Sequence, residues 1–273
     1  MARAVRVHGS PVLPEVANPP VMKPETPAAP RIRIVLARPS HPGNVGAAAR
    51  AMKTMGLAEL WLVAPAVAPG PEAIALASGA DDVLAAARTV PTLAEAVADC
   101  VLVLGTTARE RSEYYWPVHT AREAAARLRE LGPDARAAVV FGTERTGLTN
   151  DELELCHALV HIPANPAYES LNLAQAVQVV AYEIHVAADL PPRVPQREAP
   201  LATAQELEGL YQHLEATLTA TGFTDRRGGP HLMRRFKRIF GRAALDQLEV
   251  NILRGLLAAA QAASRGQASP NAE

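Results

Sequence analysis

The chain is poor in aromatic residues, cysteine and lysine, and has no long apolar run. Phe, Trp and Tyr make up 4% of its 273 residues while hydrophobic residues reach 49%, so a sizeable core is available but must be mainly aliphatic. Only two cysteines occur, Cys100 and Cys156, both in apolar stretches. That excludes a disulfide framework and points to a reducing compartment. No run of 18 apolar residues is present, which excludes a transmembrane helix. Val12 and Val21 lie in Pro-rich sequence, so the N-terminus lacks a signal-peptide core. A soluble, cytoplasmic protein is expected. Only Lys23, Lys53 and Lys237 are lysines among 27 basic residues, leaving 24 arginines. Abundant Ala, Arg and Pro fit a GC-rich genome, yet Arg is also the better residue for planar, bidentate phosphate contacts.

Several catalytic patterns are missing too. There is no H-E-x-x-H, G-x-S-x-G or C-x-x-C, and the histidines form no metal spacing, so no metal requirement is expected. Neither G-x-G-x-x-G nor a P-loop occurs, which disfavours a nucleotide-dependent metabolic enzyme. The formal net charge of -1 argues against a uniformly basic nucleic-acid binder. The distribution reverses that argument locally. Between Arg226 and Arg242 stand Arg226, Arg227, Arg234, Arg235, Lys237, Arg238 and Arg242, with no acid and with Phe236 and Phe240 interleaved. Such a run is either a solvated helix face or a patch that grips a phosphate backbone.

Residues 1–30 carry prolines and little periodicity and are expected to be a disordered tail. From Arg31 short apolar runs alternate with helical periods. Strands are predicted at 32–37, 60–63, 101–104, 137–141 and 159–162. Helices are predicted at 44–55, 92–99, 120–131 and 171–187. Continuous apolar strands alternating with helices give an α/β domain over about 31–189, a doubly wound, mostly parallel sheet. A Pro-rich stretch at 190–200 is expected to be a linker. A small α-helical appendage follows at 201–263, with one stripe at Leu207, Leu210, Tyr211, Leu214 and Leu218 and another at Leu245, Leu248, Ile252 and Leu256. A polar tail closes the chain at 264–273.

Ligands of open α/β sheets bind beyond the carboxyl ends of strands, and four such ends lead into unusual loops. After the first strand, Asn44 is a candidate helix cap, and Val45, Ala48, Ala49 and Met52 form the buried stripe. Arg50 lies off that stripe, one turn after Gly46. It either extends over the missing side chain toward the strand end or is a solvated surface residue. After the third long strand, Gly105-Thr106-Thr107-Ala108 permits close backbone approach to a ligand, or is an ordinary polar turn. In Gly142-Thr143-Glu144-Arg145-Thr146-Gly147-Leu148, two glycines flank a carboxylate. Glu144 either orients a ligand amine or loop amide, or holds the turn by accepting backbone N–H groups. Thr149 or Asn150 caps the next helix. In the last loop, Asn165-Pro166 leads to Ser170-Leu171-Asn172, where Ser170 is expected to cap the long helix.

Taken together, Asn44-x-Gly46-x-x-x-Arg50, Gly142-x-Glu144-x-x-Gly147-Leu148 and Ser170-Leu171-Asn172 resemble the three motifs of the SPOUT-class RNA methyltransferases, in the TrmH-like 2'-O-ribose branch. Ser40-His41-x-Gly43-Asn44, the segment 51–57, Asn165-Pro166 and Asn251-Ile252-Leu253-Arg254-Gly255 narrow the resemblance to the tRNA methyltransferases that act at nucleotide 32 of the anticodon loop. It runs from about Arg31 to Leu257. Residues 1–30 fall outside it, and Pro42 and the stretch 109–116 are less typical.

The resemblance implies a C-terminal trefoil knot, a homodimer with each site near the subunit interface, and S-adenosylmethionine as cofactor. Its binders by motif are Thr106, Thr107, Ala108, Gly142, Glu144, Ile162, Ser170, Leu171 and Asn172. Arg50 matches the catalytic arginine. Because a guanidinium stays protonated, its expected role is to bind substrate phosphate and stabilise the developing alkoxide, with Asn44 and Ser170 orienting it. In this setting Arg226, Arg227, Arg234, Arg235, Lys237 and Arg238 are expected to bind tRNA. Two readings stay open beside this one: a related rRNA 2'-O-methyltransferase, and a non-catalytic RNA-binding protein of the same fold.

Overall fold

The computed structural model describes residues 31–108, 116–188, 198–223 and 229–267. The expected tail at 1–30, most of the expected linker, the stretch 109–115, Arg226, Arg227 and residues 268–273 lie outside the described residues.

The elements in chain order are β1 (Arg31–Ala37), α1 (Pro42–Thr54), β2 (Glu59–Val63), α2 (Pro71–Ala77), α3 (Asp81–Ala85), β3 (Arg88–Val90), α4 (Leu93–Val97), β4 (Leu102–Thr107), β5 (Val118–Thr120), α5 (Ala121–Arg129), β6 (Arg136–Phe141), α6 (Asn150–Glu154), β7 (Ala158–His161), α7 (Leu173–Ala188), α8 (Ala204–Ala220), α9 (Gly229–Ala243) and α10 (Gln247–Gln267). The seven strands form one sheet in the order β3-β2-β1-β6-β4-β7-β5. Every pairing is parallel. β1, β6, β4 and β7 are adjacent in the middle, so the four loops singled out in the sequence leave one edge of the sheet side by side.

Strand side chains alternate between two covered faces. Ile34, Leu36, Leu104, Val139 and Val160 pack under α1, α5 and α7 with Val45, Met52, Leu128 and Val177. Val35, Val103, Ala138, Val140 and Leu159 face the opposite way, against Leu93, Val97, Leu148 and Leu153. Sequence periodicity did not predict α2, α3, β3 or β5. These have three to seven residues each, too few to carry a period.

α1 differs from expectation at its start. His41 is the N-cap and Pro42 opens the helix, which places Asn44 inside the first turn rather than at the cap. Proline suits that position because its missing N–H would be unpaired there anyway. Gly56 ends the turn at φ +76, as expected of a residue just past a helix. The absence of a side chain at Gly46 serves packing rather than Arg50. A Cβ there would lie 2.0 Å from the Ala73 carbonyl oxygen, so α2 fits against α1 only over glycine.

The appendage docks through backbone. At the start of α8, Ala204 N–H donates to the Cys100 carbonyl at 2.8 Å and Gln205 N–H to the Ala98 carbonyl at 3.1 Å. Leu207, Leu210, Tyr211, Leu214 and Leu218 are buried, as the periodicity predicts. Of the second predicted stripe, Leu245 is buried just ahead of α10, but Leu248, Ile252 and Leu256 are exposed, and α10 buries Val250 with Leu253 and Leu257 packed beside it. The sequence offers two apolar stripes, and contact with α8 selects one. The Arg254 guanidinium lies over Gly209, where a Cβ would come within 2.4 Å of Nη2. α10 also continues to Gln267, past position 263. Among the described residues no helix is long and apolar enough to cross a membrane.

Candidate active site

The loop after β6 is built by its glycines. Thr143 and Gly147 pair back to back, with Thr143 N–H donating to the Gly147 carbonyl at 3.3 Å and Gly147 N–H to the Thr143 carbonyl at 3.0 Å. Gly147 takes a left-handed φ of +69. A Cβ on Gly142 would lie 2.1 Å from the Gly147 carbonyl carbon, so backbone closes on backbone there. Thr149 caps α6 in a capping box with Glu152.

Glu144 leaves this tight turn to hold a different one. Its carboxylate accepts the Ser40 N–H at 3.2 Å, the Ser40 hydroxyl at 2.7 Å and the Asn44 amide at 2.9 Å. Of the two roles open in the sequence, the second is the nearer, except that the stabilised turn is the one after β1. Burial alone would raise the Glu144 pKa. The hydrogen bonds from Asn44 and Ser40 outweigh it and hold the carboxyl at about 2.

The network reaches the third motif. Asn172 Nδ2 donates to Asn44 Oδ1 at 3.0 Å. Asn172 Oδ1 accepts the Ala174 N–H at 2.9 Å, and Gln175 Oε1 accepts the Asn172 N–H at 3.2 Å. Asn172, not Ser170, therefore caps α7. Both residues can cap, but α7 begins at Leu173, and Asn172 also has the spare amide that reaches Asn44. Ser40, Asn44, Glu144 and Asn172 form one chain of hydrogen bonds through all three motifs.

A second tie runs alongside. Arg38, at φ +51, gives Glu152 two parallel hydrogen bonds of 3.0 and 2.9 Å. Glu152 also accepts the Thr149 N–H at 2.7 Å. Burial raises the Glu152 pKa, but Arg38 and Thr149 bring it below the ordinary carboxylate value. Sequence reasoning missed Arg38 and Glu152 as a pair because 114 positions separate them and neither sits in a motif.

These loops enclose a cavity of about 270 Å³, near the lower end of small-molecule sites. Thr106, Thr107, Ala108, Gly142, Glu144, Ile162, Ser170 and Leu171 line it. Asn172 and Asn44 do not line it; they join it through Glu144, which Asn44 bonds directly and Asn172 through Asn44. The Thr106 hydroxyl donates to the Val140 carbonyl at 3.1 Å, which fixes the end of β4 against β6. Arg50 is exposed on α1, outside the lining, with no side-chain hydrogen bond or ion pair among the described residues. Burial pushes the Cys100 and Cys156 thiols up to about 12, so neither is a thiolate at neutral pH.

From Arg234 to Arg242 the basic run lies on α9. Arg234 pairs with Glu154 at 2.7 Å; Lys237 pairs with Glu208 at 3.5 Å and lies over the Tyr211 ring. Arg235 and Arg242 are exposed, and Arg238 is half-buried. Phe236 and Phe240 stack on each other, and Phe240 on Tyr211, so the aromatics within the run pack α9 onto α8.

The model of the SpoU rRNA Methylase family matches residues 31–182, and that of the tRNA methyltransferase TrmJ C-terminal domain matches 205–269. The chain is 50% identical over 241 residues to the tRNA (cytidine/uridine-2'-O-)-methyltransferase TrmJ of Klebsiella pneumoniae, covering 86% of this chain and 98% of that protein. It is 49% identical over 247 residues to the tRNA (cytidine/uridine/adenosine-2'-O-)-methyltransferase TrmJ of Pseudomonas aeruginosa, covering 86% and 96%. The crystal structure of TrmJ from Z. mobilis superposes with a TM-score of 0.72 at 40% identity, over 85% of this chain and 99% of that one. With three motifs joined by one hydrogen-bond network, and matches that run through the appendage, the chain belongs to the SpoU rRNA methylase family.

Proposed function

We propose that the protein is a tRNA 2'-O-ribose methyltransferase that uses S-adenosylmethionine and modifies nucleotide 32 of the anticodon loop. The observation that carries this reading is the cavity where three motif loops meet, in a chain that matches 2'-O-methyltransferases of tRNA through both its sheet and its appendage. The cavity suits the cofactor chemically. Ile162, Leu148 and Leu171 offer apolar walls for an adenine ring. Thr106 and Thr107 offer polar groups, and the glycine-closed loop 142–147 brings backbone to the wall. Thr106, Thr107, Ala108, Gly142, Glu144, Ile162, Ser170 and Leu171 would hold it, with Asn172 fixing the loop behind them. The bound cofactor supplies an electrophilic methyl group on a sulfonium.

The protein must place a ribose 2'-hydroxyl and manage its proton. Positioning accounts for much of such a barrier, on the order of several kcal/mol. Glu144 is already held as an anion by three donors and is a poor proton acceptor; its part is to hold Ser40 and Asn44. Arg50 binds the phosphate of the acceptor nucleotide and stabilises negative charge on the 2'-oxygen. Asn44 and Ser170 orient the acceptor. Arg50 is exposed and absent from its own cavity lining, and Tyr182 and Val186 expose apolar surface on α7, which packs beside α1. Both facts support a homodimer with the active site completed at the subunit interface. β6 lies between β1 and β4, and β7 between β4 and β5, which supports the knotted path. The domain division is a methyltransferase domain over 31–189 and an RNA-binding appendage from 201, in a cytoplasmic protein.

Arg50→Ala tests the reading. The variant should bind S-adenosylmethionine in calorimetric titration as the parent does and lose methyl transfer to tRNA by at least about a hundredfold. Equal loss of both would remove Arg50 from the chemistry. Mass spectrometry of tRNA and rRNA from a deletion strain identifies the RNA and the nucleotide.

A further inference from the structure

Six of the nine aromatic rings among the described residues are occupied, and Tyr182, Phe223 and Tyr168 are exposed. The Arg33 and Arg88 guanidinium groups lie over the Trp61 ring, Trp116 donates to the Cys156 carbonyl, Phe141 is in the core, and Tyr211, Phe236 and Phe240 stack together. Tyr168 is different. It is 78% exposed, more than any other large hydrophobic residue among those described. Its ring makes no hydrogen bond or ring contact among the described residues.

The backbone beneath it is firmly held. Asn165, Pro166, Ala167 and Tyr168 form a four-residue turn. Tyr168 N–H donates to the Asn165 carbonyl at 2.7 Å, and Ala167 N–H to Asn165 Oδ1 at 3.0 Å. Proline in the second position presets the backbone, and Asn in the first supplies the side-chain acceptor. Glu169, Ser170 and Leu171 follow directly and line the cavity. At about 3.8 Å per residue, the Tyr168 Cα is within about 8 Å of that of Ser170. A rigid turn thus presents a solvent-facing aromatic ring beside the cavity.

A ribose inside a structured loop reaches such a cavity only if its base leaves the neighbours on which it stacks. A protein ring near the ribose can replace the lost stacking, and it accepts any base because every base has a π face. We propose that Tyr168 is the platform on which the base of the acceptor nucleotide stacks while its ribose enters the cavity, an inference that rests on the tRNA-methyltransferase reading.

The test uses the full-length protein, Tyr168→Phe and Tyr168→Ala, with tRNA transcripts carrying either uridine or dihydrouridine at the target nucleotide. Dihydrouridine keeps the 2'-hydroxyl but has no flat aromatic ring. Tyr168→Ala should raise the KM for the uridine transcript about tenfold, a loss of about 1.4 kcal/mol, within the range of one aromatic–base stack. Tyr168→Phe should keep the parent KM. The parent should lose a similar factor on dihydrouridine, and Tyr168→Ala should lose nothing further there. S-adenosylmethionine binding and oligomeric state should not change.

An unchanged KM in Tyr168→Ala, an equal loss on both transcripts, or an altered oligomeric state would overturn the inference and leave the methyltransferase reading intact. A parent protein that binds the cofactor but methylates neither transcript would overturn that reading and the inference with it.

Discussion

The carboxyl edge of the sheet and the helical appendage are held together by opposite means. At the carboxyl edge of the sheet, residues 100 to 128 positions apart are tied by side-chain hydrogen bonds around one carboxylate, and the backbone closes only over glycine. The helical appendage has a small core of Leu207, Leu210, Tyr211, Leu245 and Val250 and keeps its ion pairs at the rim. Geometry limits the first region and burial the second. The first should therefore tolerate almost no added atom, while the surface of the second should tolerate changes of charge.

Gly142→Ala should break this contrast most severely. The added methyl would meet backbone atoms at 2.1 and 2.2 Å, and no side chain can swing aside to admit it. Overpacking costs typically about 1–3 kcal/mol, and a backbone clash of this kind belongs at or above the top of that range. S-adenosylmethionine binding should disappear, and the denaturant midpoint should fall. A soluble variant with parent-like cofactor affinity would refute the close fit of this loop.

Glu144→Gln comes next. The substitution keeps the size but loses the anion that accepts three hydrogen bonds, at a cost of about 1–3 kcal/mol. It also changes the pH dependence. Glu144 titrates at about 2 in the folded protein against an ordinary 4.5. Its stabilisation is therefore complete above about pH 4.5 and is lost as the pH falls toward 2. Thermal unfolding of Glu144→Gln should show a shallower acid loss in that window than the parent. Asp99, at the opposite edge of the sheet, also titrates at about 2, since hydrogen bonds from Arg33 and Arg136 outweigh its burial, so the variant should keep part of the acid sensitivity.

What the sequence conveyed follows the same division. The four strand-end loops and the apolar faces of α1, α7 and α8 were readable because periodicity and turn chemistry are local. Eight of the nine residues assigned to the cofactor by resemblance line one cavity. The partners of Asn44 were not readable. Ser170 and Asn172 are both natural caps two positions apart, and the start of α7 at Leu173, with the Ala174 N–H on Asn172 Oδ1, separates them. The exposed stripe of α10 failed for a related reason. A helix with apolar residues on two sides has no preferred inward face until it meets a partner, here Gly209 under Arg254. Arg33 looks like a stray charge in a strand, yet it is buried against Asp99 and Trp61, which no local pattern announces.

Arg38→Ala should have a smaller effect than either change above. It removes the paired hydrogen bonds to Glu152 but leaves Glu144 in place, and the guanidinium is partly exposed. A loss of about 1 kcal/mol is expected, since exposed pairs contribute little and bidentate geometry somewhat more. Methyl transfer should fall more than S-adenosylmethionine affinity, because the displaced segment carries Ser40 and Asn44. Parallel calorimetry and turnover assays would show this, and a fall in affinity with unchanged turnover would contradict it.

The smallest effect on the fold belongs to the appendage, where the largest effect on RNA is expected. Arg234 and Lys237 already pair with Glu154 and Glu208, so their loss mixes packing with RNA binding. Arg235 and Arg242 are exposed and have no ion pair among the described residues. Arg235→Gln combined with Arg242→Gln should leave stability within about 0.5 kcal/mol of the parent. If each guanidinium neutralises one phosphate, the slope of log affinity for tRNA against log salt should become shallower by about one unit per residue. S-adenosylmethionine binding should stay unchanged, because the cavity lies at the edge of the sheet and none of its lining comes from α9. An unchanged salt slope would show that the exposed face of α9 is solvated only.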